Sequence, residues 1–228
     1  MLKILAFDTS TEAMSIAVQH GADVFEFIGT GGAQASSRLI PEIQTLMQQA
    51  GLGFQDLDAI AFGAGPGAFT GLRASCAVAQ GLGFAANVPL CPINTLHAVA
   101  LALHQSTGNV RITAALDARI GEVYWQRFDF AADTFGVPLD AEPQLSKADT
   151  QVEGASFELG TLPTARILLG LAAKMLANGL AVRPADALPL YVRNKVAETT
   201  AERAATKALK QQDTDEKSPF GLSLSKAL

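Results

Sequence analysis

Residues 3–10 read Lys3-Ile-Leu-Ala-Phe-Asp-Thr-Ser10, and residues 111–117 read Arg111-Ile-Thr-Ala-Ala-Leu-Asp117. Each is a short apolar run that ends on an aspartate, as a buried strand does where it emerges into a polar loop. Asp8 and Asp117 stand 109 positions apart. Each run is followed by a second strand-like segment, Met14–Gln19 in the first half and Gly121–Phe130 in the second. A turn at Gly21-Ala22-Asp23 leads to a third strand over Val24–Ile28, and a turn near Ala131-Ala132-Asp133 leads toward its counterpart. The chain reads as an antiparallel meander that restarts, a weak internal duplication.

Between the two meanders the periodicity alternates. It predicts a helix over Leu39–Ala50, capped by Ser36 or Ser37 and ended by Gly51, then a buried strand over Ala59–Phe62. A helix over Leu72–Ala86, a strand over Leu90–Ile93 and a helix capped by Thr95 and running to His104 follow. After the second meander, Asp140–Leu162 is polar and poorly periodic, with Gly154 and Gly160 in it. Thr164–Asn178 has a helical stripe, and Ala187–Val192 is a last strand or extended segment. The expected organisation is an α/β protein with an N-terminal lobe over 1–107, a smaller and contracted lobe over 108–196, and a charged, disordered tail over 197–228.

Composition narrows the function classes. Seventeen basic residues against 22 acidic give a net charge of −5 and a pI near 5.2, without the basic patch of a nucleic-acid-binding domain. Any contact with a nucleic acid is expected to be indirect. Cys76 and Cys91 form no CxxC spacing and no disulfide framework, which fits a reducing cytoplasm. The first apolar run is too short for a signal peptide, and no apolar run is long enough for a membrane span.

Two segments could carry chemistry. Gly63-Ala-Gly-Pro-Gly-Ala-Phe-Thr-Gly71 joins a strand to a helix. Gly65 and Gly67 allow close backbone approach, Thr70 can cap the helix, and its free N–H groups favour an anion. The same glycines serve equally in a tight turn that packs two backbones together. It is not a dinucleotide fingerprint, because the next strand ends at Ile93-Asn94 without an acidic residue, and no Gly-Lys-Ser/Thr follows to make a P-loop. Asp8-Thr9-Ser10 can position a metal–phosphate complex, or simply form an Asx turn. Asp117-Ala118-Arg119 is its counterpart without the hydroxyls. His20, His97 and His104 lie at no ligand spacing, so no metal site is expected. Glu12 and Arg73 flank the two loops as candidate cleft contacts. The small and apolar residues of the two first helices serve internal packing or a partner surface.

The order strands, helix, strand, helix, strand, helix and restart resembles the actin/Hsp70/sugar-kinase (ASKHA) class. Ile4-Leu-Ala-Phe-Asp-Thr-Ser-Thr-Glu-Ala13, the Gly63–Arg73 loop, Ala115-Leu-Asp-Ala-Arg-x-Gly-Glu-Val-Tyr124 and Pro189-Leu-Tyr-Val-Arg193 together resemble the TsaB (YeaZ) family. The resemblance covers about residues 1–130 and 163–196. It implies a non-catalytic paralogue of TsaD in the synthesis of N6-threonylcarbamoyladenosine at position 37 of tRNAs that read ANN codons. It implies a heterodimer with a TsaD-type subunit, a TsaE-type ATPase as a third component, and a homodimer when the chain is alone. Leu39, Ile43, Leu46, Met47, Cys76, Ala79 and Gln80 become the expected partner surface. Where TsaD carries Asn-His-x-x-x-His, this chain has Asn94-Thr-Leu-His-Ala-Val99, with neither ligand position a ligand. No catalytic residue, metal or resident cofactor is therefore expected beyond weak ATP or ADP binding shared with the partner. A small ATPase or kinase using Asp8, Thr9 and Gly65–Thr70 is the alternative. A glycoprotease-like peptidase is a more distant one.

Overall fold

The apolar runs become strands buried on both faces. In β1 (Lys3–Asp8) Ile4 and Ala6 face one side of the sheet and Leu5 and Phe7 the other, all inaccessible to solvent. Such double burial explains why the run does not alternate apolar with polar. β1 pairs antiparallel with β2 (Ala13–His20), and β2 with β3 (Asp23–Thr30). On its other edge β1 runs parallel to β4 (Ala59–Gly65), and β4 to β5 (Leu90–Asn94). The five strands lie in the order β3-β2-β1-β4-β5.

This computed structural model describes residues 1–32, 35–150 and 160–193, without the side chain of Ser36. The glycine at 154 and the tail over 197–228 lie outside the described residues, while Ser36 and Ser37, expected to cap the first helix, fall inside it, since it starts at Ala35.

Helices α1 (Ala35–Gln49) and α2 (Phe69–Ala86) cover one face of the first sheet. There Leu39, Ile43, Leu46 and Met47 pack with Cys76 and Ala79 onto Leu5, Phe7, Ile16, Ile60 and Phe62. Fully burying one side chain of the larger kind contributes about 1.5–3 kcal/mol. The other face is lined by smaller residues, Ala6, Ala17, Ala59 and Ala61, which lets α3 (Thr95–Thr107) and α4 (Ala165–Ala177) close on it.

The second sheet is the hairpin of β6 (Arg111–Arg119) and β7 (Glu122–Asp129), with β8 (Val137–Pro138) and β9 (Gln144–Lys147) both paired to β7. The expected boundary at 107/108 falls between α3 and β6. Helix α4, however, expected in the second lobe, packs on β1, β2, β4 and β5 of the first sheet. Met1–Val192 form one compact unit. The residues of 187–192 form no strand. They are extended beside β4 and share one ladder-like bond, from Leu190 N to the Ala64 carbonyl at 2.7 Å.

Two caps differ from expectation. Asn94, not Thr95, caps α3, its side-chain oxygen accepting from Leu96 N at 2.9 Å. Helix α2 begins at Phe69 with Ala68 in the cap position, so Thr70 lies inside the first turn and caps nothing.

Candidate functional site

The loop after β1 and the loop after β4 lie against one another. Asp8 is buried, and its Oδ1 accepts from the backbone N and the hydroxyl of Ser10 at 2.8 and 2.7 Å. This is an Asx turn with an added hydroxyl bond. The second carboxyl oxygen, Oδ2, is buried without a hydrogen-bond partner. Burial therefore pushes the Asp8 carboxyl up, to about 6, against the lowering effect of the two bonds from Ser10. The Thr9 hydroxyl donates to the Gly71 carbonyl at 2.8 Å, and the Ser75 hydroxyl lies 2.6 Å from it. Ala68 N donates to the Ser10 carbonyl at 2.7 Å.

The glycines are explained by this packing. A Cβ on Gly67 would lie 2.5 Å from the Ser10 carbonyl oxygen, and one on Gly71 would lie 1.8 Å from that of Thr9. One on Gly65, whose φ is +125°, would lie 2.5 Å from the Leu190 carbonyl oxygen. Each of these glycines is thus packed against a carbonyl oxygen of the chain itself, at a distance that no Cβ would allow. Of the two readings the sequence allows, close backbone packing accounts for all three positions.

The second-half bend repeats the first in miniature. Arg119 N donates to Asp117 Oδ1 at 2.8 Å, as Ser10 N does to Asp8. Here the carboxylate is exposed and lies 3.4 Å from the Arg119 guanidinium. That guanidinium also stands 3.9 Å from Glu12, so Glu12, an expected cleft contact, and Asp117, of the second-half loop, meet at one arginine. A second link joins the two sheets: Asn94 Nδ2 donates to Gln126 Oε1 at 2.7 Å, and Gln126 Nε2 to the Asp140 carbonyl at 2.9 Å. Thr95 donates to the Pro66 carbonyl, tying the start of α3 to the glycine loop.

The expected partner surface needs correction. Leu39, Ile43, Leu46, Met47, Cys76 and Ala79 are at most 6% exposed, because they are the faces of α1 and α2 that fill the protein's own core. Gln80 is half-buried and donates to the Ala187 carbonyl at 2.9 Å. The outward face of α2 is made instead by Phe69, Arg73, Ala77, Gly81 and Phe84, with Phe84 63% exposed. Beside it run Ala187, Leu188 and Tyr191, of which Leu188 and Tyr191 are exposed. Residues 73, 77, 80 and 84 share one helix side at spacings of four, three and four. Arg73 donates through Nε to the Tyr191 hydroxyl at 3.2 Å and lies 3.8 Å from the Phe69 ring centroid. The Tyr191 contribution could not be read from its own neighbourhood in sequence; it arises from a contact across 118 positions.

The histidines are satisfied within the fold. His97 Nε2 lies 2.6 Å from the Phe135 carbonyl with its ring stacked on Phe128, and burial lowers its pKa. His104 Nδ1 lies 2.7 Å from the Asn109 carbonyl, its ring on Phe130. Among the described residues no three His, Cys, Asp or Glu converge as metal ligands, and no helix is long and apolar enough to cross a membrane.

Residues 32–142 match the family model described as TsaD, tRNA N6-adenosine threonylcarbamoyltransferase. The chain is 31% identical over 225 residues to the tRNA threonylcarbamoyladenosine biosynthesis protein TsaB of Escherichia coli, across 86% of this chain and 96% of that one. It is 40% identical over 126 residues to the protein of the same name from Haemophilus influenzae, across 55% of this chain and 53% of the relative. The solved structure of YeaZ from Pseudomonas aeruginosa superposes with a TM-score of 0.77 at 31% identity, over 84% of this chain and all of that one. The two sheets with their helices are therefore an ASKHA-like architecture. With that identity carried along nearly the whole of a TsaB protein, the chain belongs to the TsaB (YeaZ) family.

Proposed function

We propose that this chain is a non-catalytic partner subunit in the synthesis of N6-threonylcarbamoyladenosine at position 37 of tRNAs reading ANN codons. It pairs with a TsaD-type subunit and activates it, with a TsaE-type ATPase as third component, and pairs with itself when alone. The observation that supports the non-catalytic part is the glycine loop, whose three glycines are required by packing within the chain. Carbonyl oxygens of Thr9, Ser10 and Leu190 stand where a Cβ on Gly71, Gly67 and Gly65 would lie, so close packing accounts for these glycines with no phosphate invoked. The nearby carboxyl, Asp8, is buried with its partners supplied by Ser10 alone. ATP or ADP then binds weakly at most, in a site completed by the partner, and tRNA is reached only through the complex.

The partner surface in this reading is the outward face of α2 with residues 187–191. Small residues at 77 and 81 let a second helix approach closely, and Phe84 and Leu188 are the apolar flanks. Light scattering coupled to gel filtration, on the chain alone and mixed with the TsaD-type subunit of the same cell, tests this. A 1:1 heterodimer that replaces a homodimer, and that shows transfer activity absent from either subunit alone, is the expected result. No complex well above micromolar concentration, or ATP turnover by the chain alone, would overturn it.

A further inference from the structure

The outward face of α2 carries a single charge, and among the described residues it has no counter-charge. Arg73 is the one basic residue of the helix. It is exposed, and among the described residues no carboxylate lies within ion-pair distance of it. The one acid in the neighbouring stretch 184–191, Asp186, is held at 2.7 Å by Arg183. Yet the Arg73 side chain is not loose. Its guanidinium lies over the Phe69 ring at 3.8 Å, and its Nε donates to the Tyr191 hydroxyl at 3.2 Å. The two rings are themselves in contact, with centroids 5.4 Å apart.

Such a clamp fixes the plane of the guanidinium and spends one N–H, leaving the terminal nitrogens to make a bidentate pair. A side chain already held in place loses less rotamer freedom when it is bound. Arginine and tyrosine flanked by apolar residues, here Ala77, Phe84 and Leu188, is also the composition of an interface hot spot.

We propose that Arg73, clamped by Phe69 and Tyr191, is the anchor at which a carboxylate of a partner protein docks on the outward face of α2. The inference rests on the partner-subunit reading above and names the chemistry that the partner must supply. The occupant is a protein surface rather than a nucleic acid. A phosphate backbone is held by several spaced cations, and this face has one cation among apolar and small residues. The apolar stretch from Ala77 to Phe84 needs an apolar counterpart, which a helix bearing one Asp or Glu provides. The Tyr191 hydroxyl also makes the last described segment of the chain part of the anchor.

The test measures pairing with the TsaD-type subunit by titration calorimetry for Arg73→Ala, Arg73→Lys, Arg73→Glu, Tyr191→Phe and Phe84→Asp, each checked for a cooperative melting transition well above the temperature of the titration. Arg73→Ala is expected to weaken pairing 10- to 100-fold and Arg73→Glu more than 100-fold. Arg73→Lys should fall between wild type and alanine, since an ammonium cannot bind a carboxylate bidentately. Tyr191→Phe, which frees the guanidinium without removing it, should cost a few-fold. Should Arg73→Glu fail to fold, Arg73→Ala and Arg73→Lys carry the test. Salt should weaken the wild type more than Arg73→Ala. If Phe84→Asp abolishes pairing while every Arg73 variant binds as wild type, the surface stands and the anchor is refuted. If all variants pair as wild type, the partner-surface reading itself falls, and this inference with it. Loss of self-association alone would give the anchor to a second copy and overturn the assignment. So would loss of tRNA binding by the chain alone, which would give it to a phosphate.

Discussion

The free carboxyl oxygen of Asp8 occupies the space that a side chain at position 63 would need. A Cβ built on Gly63 would lie 1.7 Å from Asp8 Oδ2. The end of β1 and the middle of β4 are therefore in register only because residue 63 has no side chain. Gly63→Ala must push Asp8 out of its turn or part the two parallel strands. Overpacking of this kind costs about 1–3 kcal/mol, and more where backbone must move. Urea unfolding should show a lower midpoint for Gly63→Ala, with an unchanged slope. An unchanged midpoint would mean that the Asp8 side chain is not held there.

The same carboxyl gives the stability a pH dependence. A carboxyl whose pKa is higher in the folded than in the unfolded chain binds more protons when folded. Stability then falls as pH rises between the two values. With an ordinary value of 3.8 and about 6 in the fold, the Asp8 contribution lost from pH 4 to pH 7 is on the order of 3 kcal/mol. Asp140 and Asp133 are held low by Arg127 and Lys174, so they act in the opposite sense and only below 3.8, outside this window. Asp8→Asn cannot ionise. Relative to wild type it should gain stability as pH is raised from 4.5 to about 6.5 and then level off, measured by urea unfolding. A constant difference across that range would exclude a raised carboxyl pKa.

Two substitutions separate core from surface. Leu46 is 4% exposed within the cluster beneath α1. Leu46→Asp buries a charge without a partner, and the expected loss of about 4 kcal/mol or more leaves little folded protein. Phe84→Asp places its charge in solvent and should shift the melting temperature by only a few degrees. Circular dichroism melting of the two variants decides. A Leu46→Asp protein with a native melting curve would return α1's inner face to the list of partner surfaces.

The β6–β7 turn carries a residue that its backbone does not favour. Arg119 pairs with Glu122, so Ile120 and Gly121 form a two-residue loop, with φ of +57° and +70°. Such a turn prefers Asn or Gly at its first position, and a β-branched residue there is strained. Ile120 is 84% exposed and gives up no core on replacement. Ile120→Asn should therefore raise the urea midpoint by an amount equivalent to about 1 kcal/mol. A lower midpoint would show that the isoleucine is held by contacts that outweigh its strain.

Much of the architecture was legible in the chain. The runs at Lys3, Met14, Val24, Ala59 and Leu90 are strands, and the helical stripes are helices, because both periodicities are local. What local spacing does not carry is which body an apolar stripe faces. Leu39, Ile43, Leu46 and Met47 have the same pattern whether they meet the sheet beneath or a second protein, and the structure gives them to the sheet. The glycine loop was ambiguous for the same reason, since its neighbours Ser10 and Leu190 lie far along the chain. β9 was missed because Gln-Leu-Ser-Lys has one apolar residue and is ordered by pairing with β7. The Arg73–Tyr191 clamp had no local signal, although both residues stand in quoted motifs.

Helix α4 imposes an order on synthesis. Its first N–H is satisfied by the Ser15 hydroxyl of β2 at 2.8 Å, 150 positions earlier, and Glu26 of β3 holds Arg166 on its first turn. While the ribosome is still making residues 110–160, the face of the first sheet lined by Ile4, Ala6, Ala17 and Ala61 lacks this cover. The nascent chain must carry that apolar face until residue 177 has left the exit tunnel, a long-range closure that is slow by nature and open to aggregation meanwhile. A chain stopped at residue 150 would retain every described strand and still lack the helix that keeps its first sheet out of water.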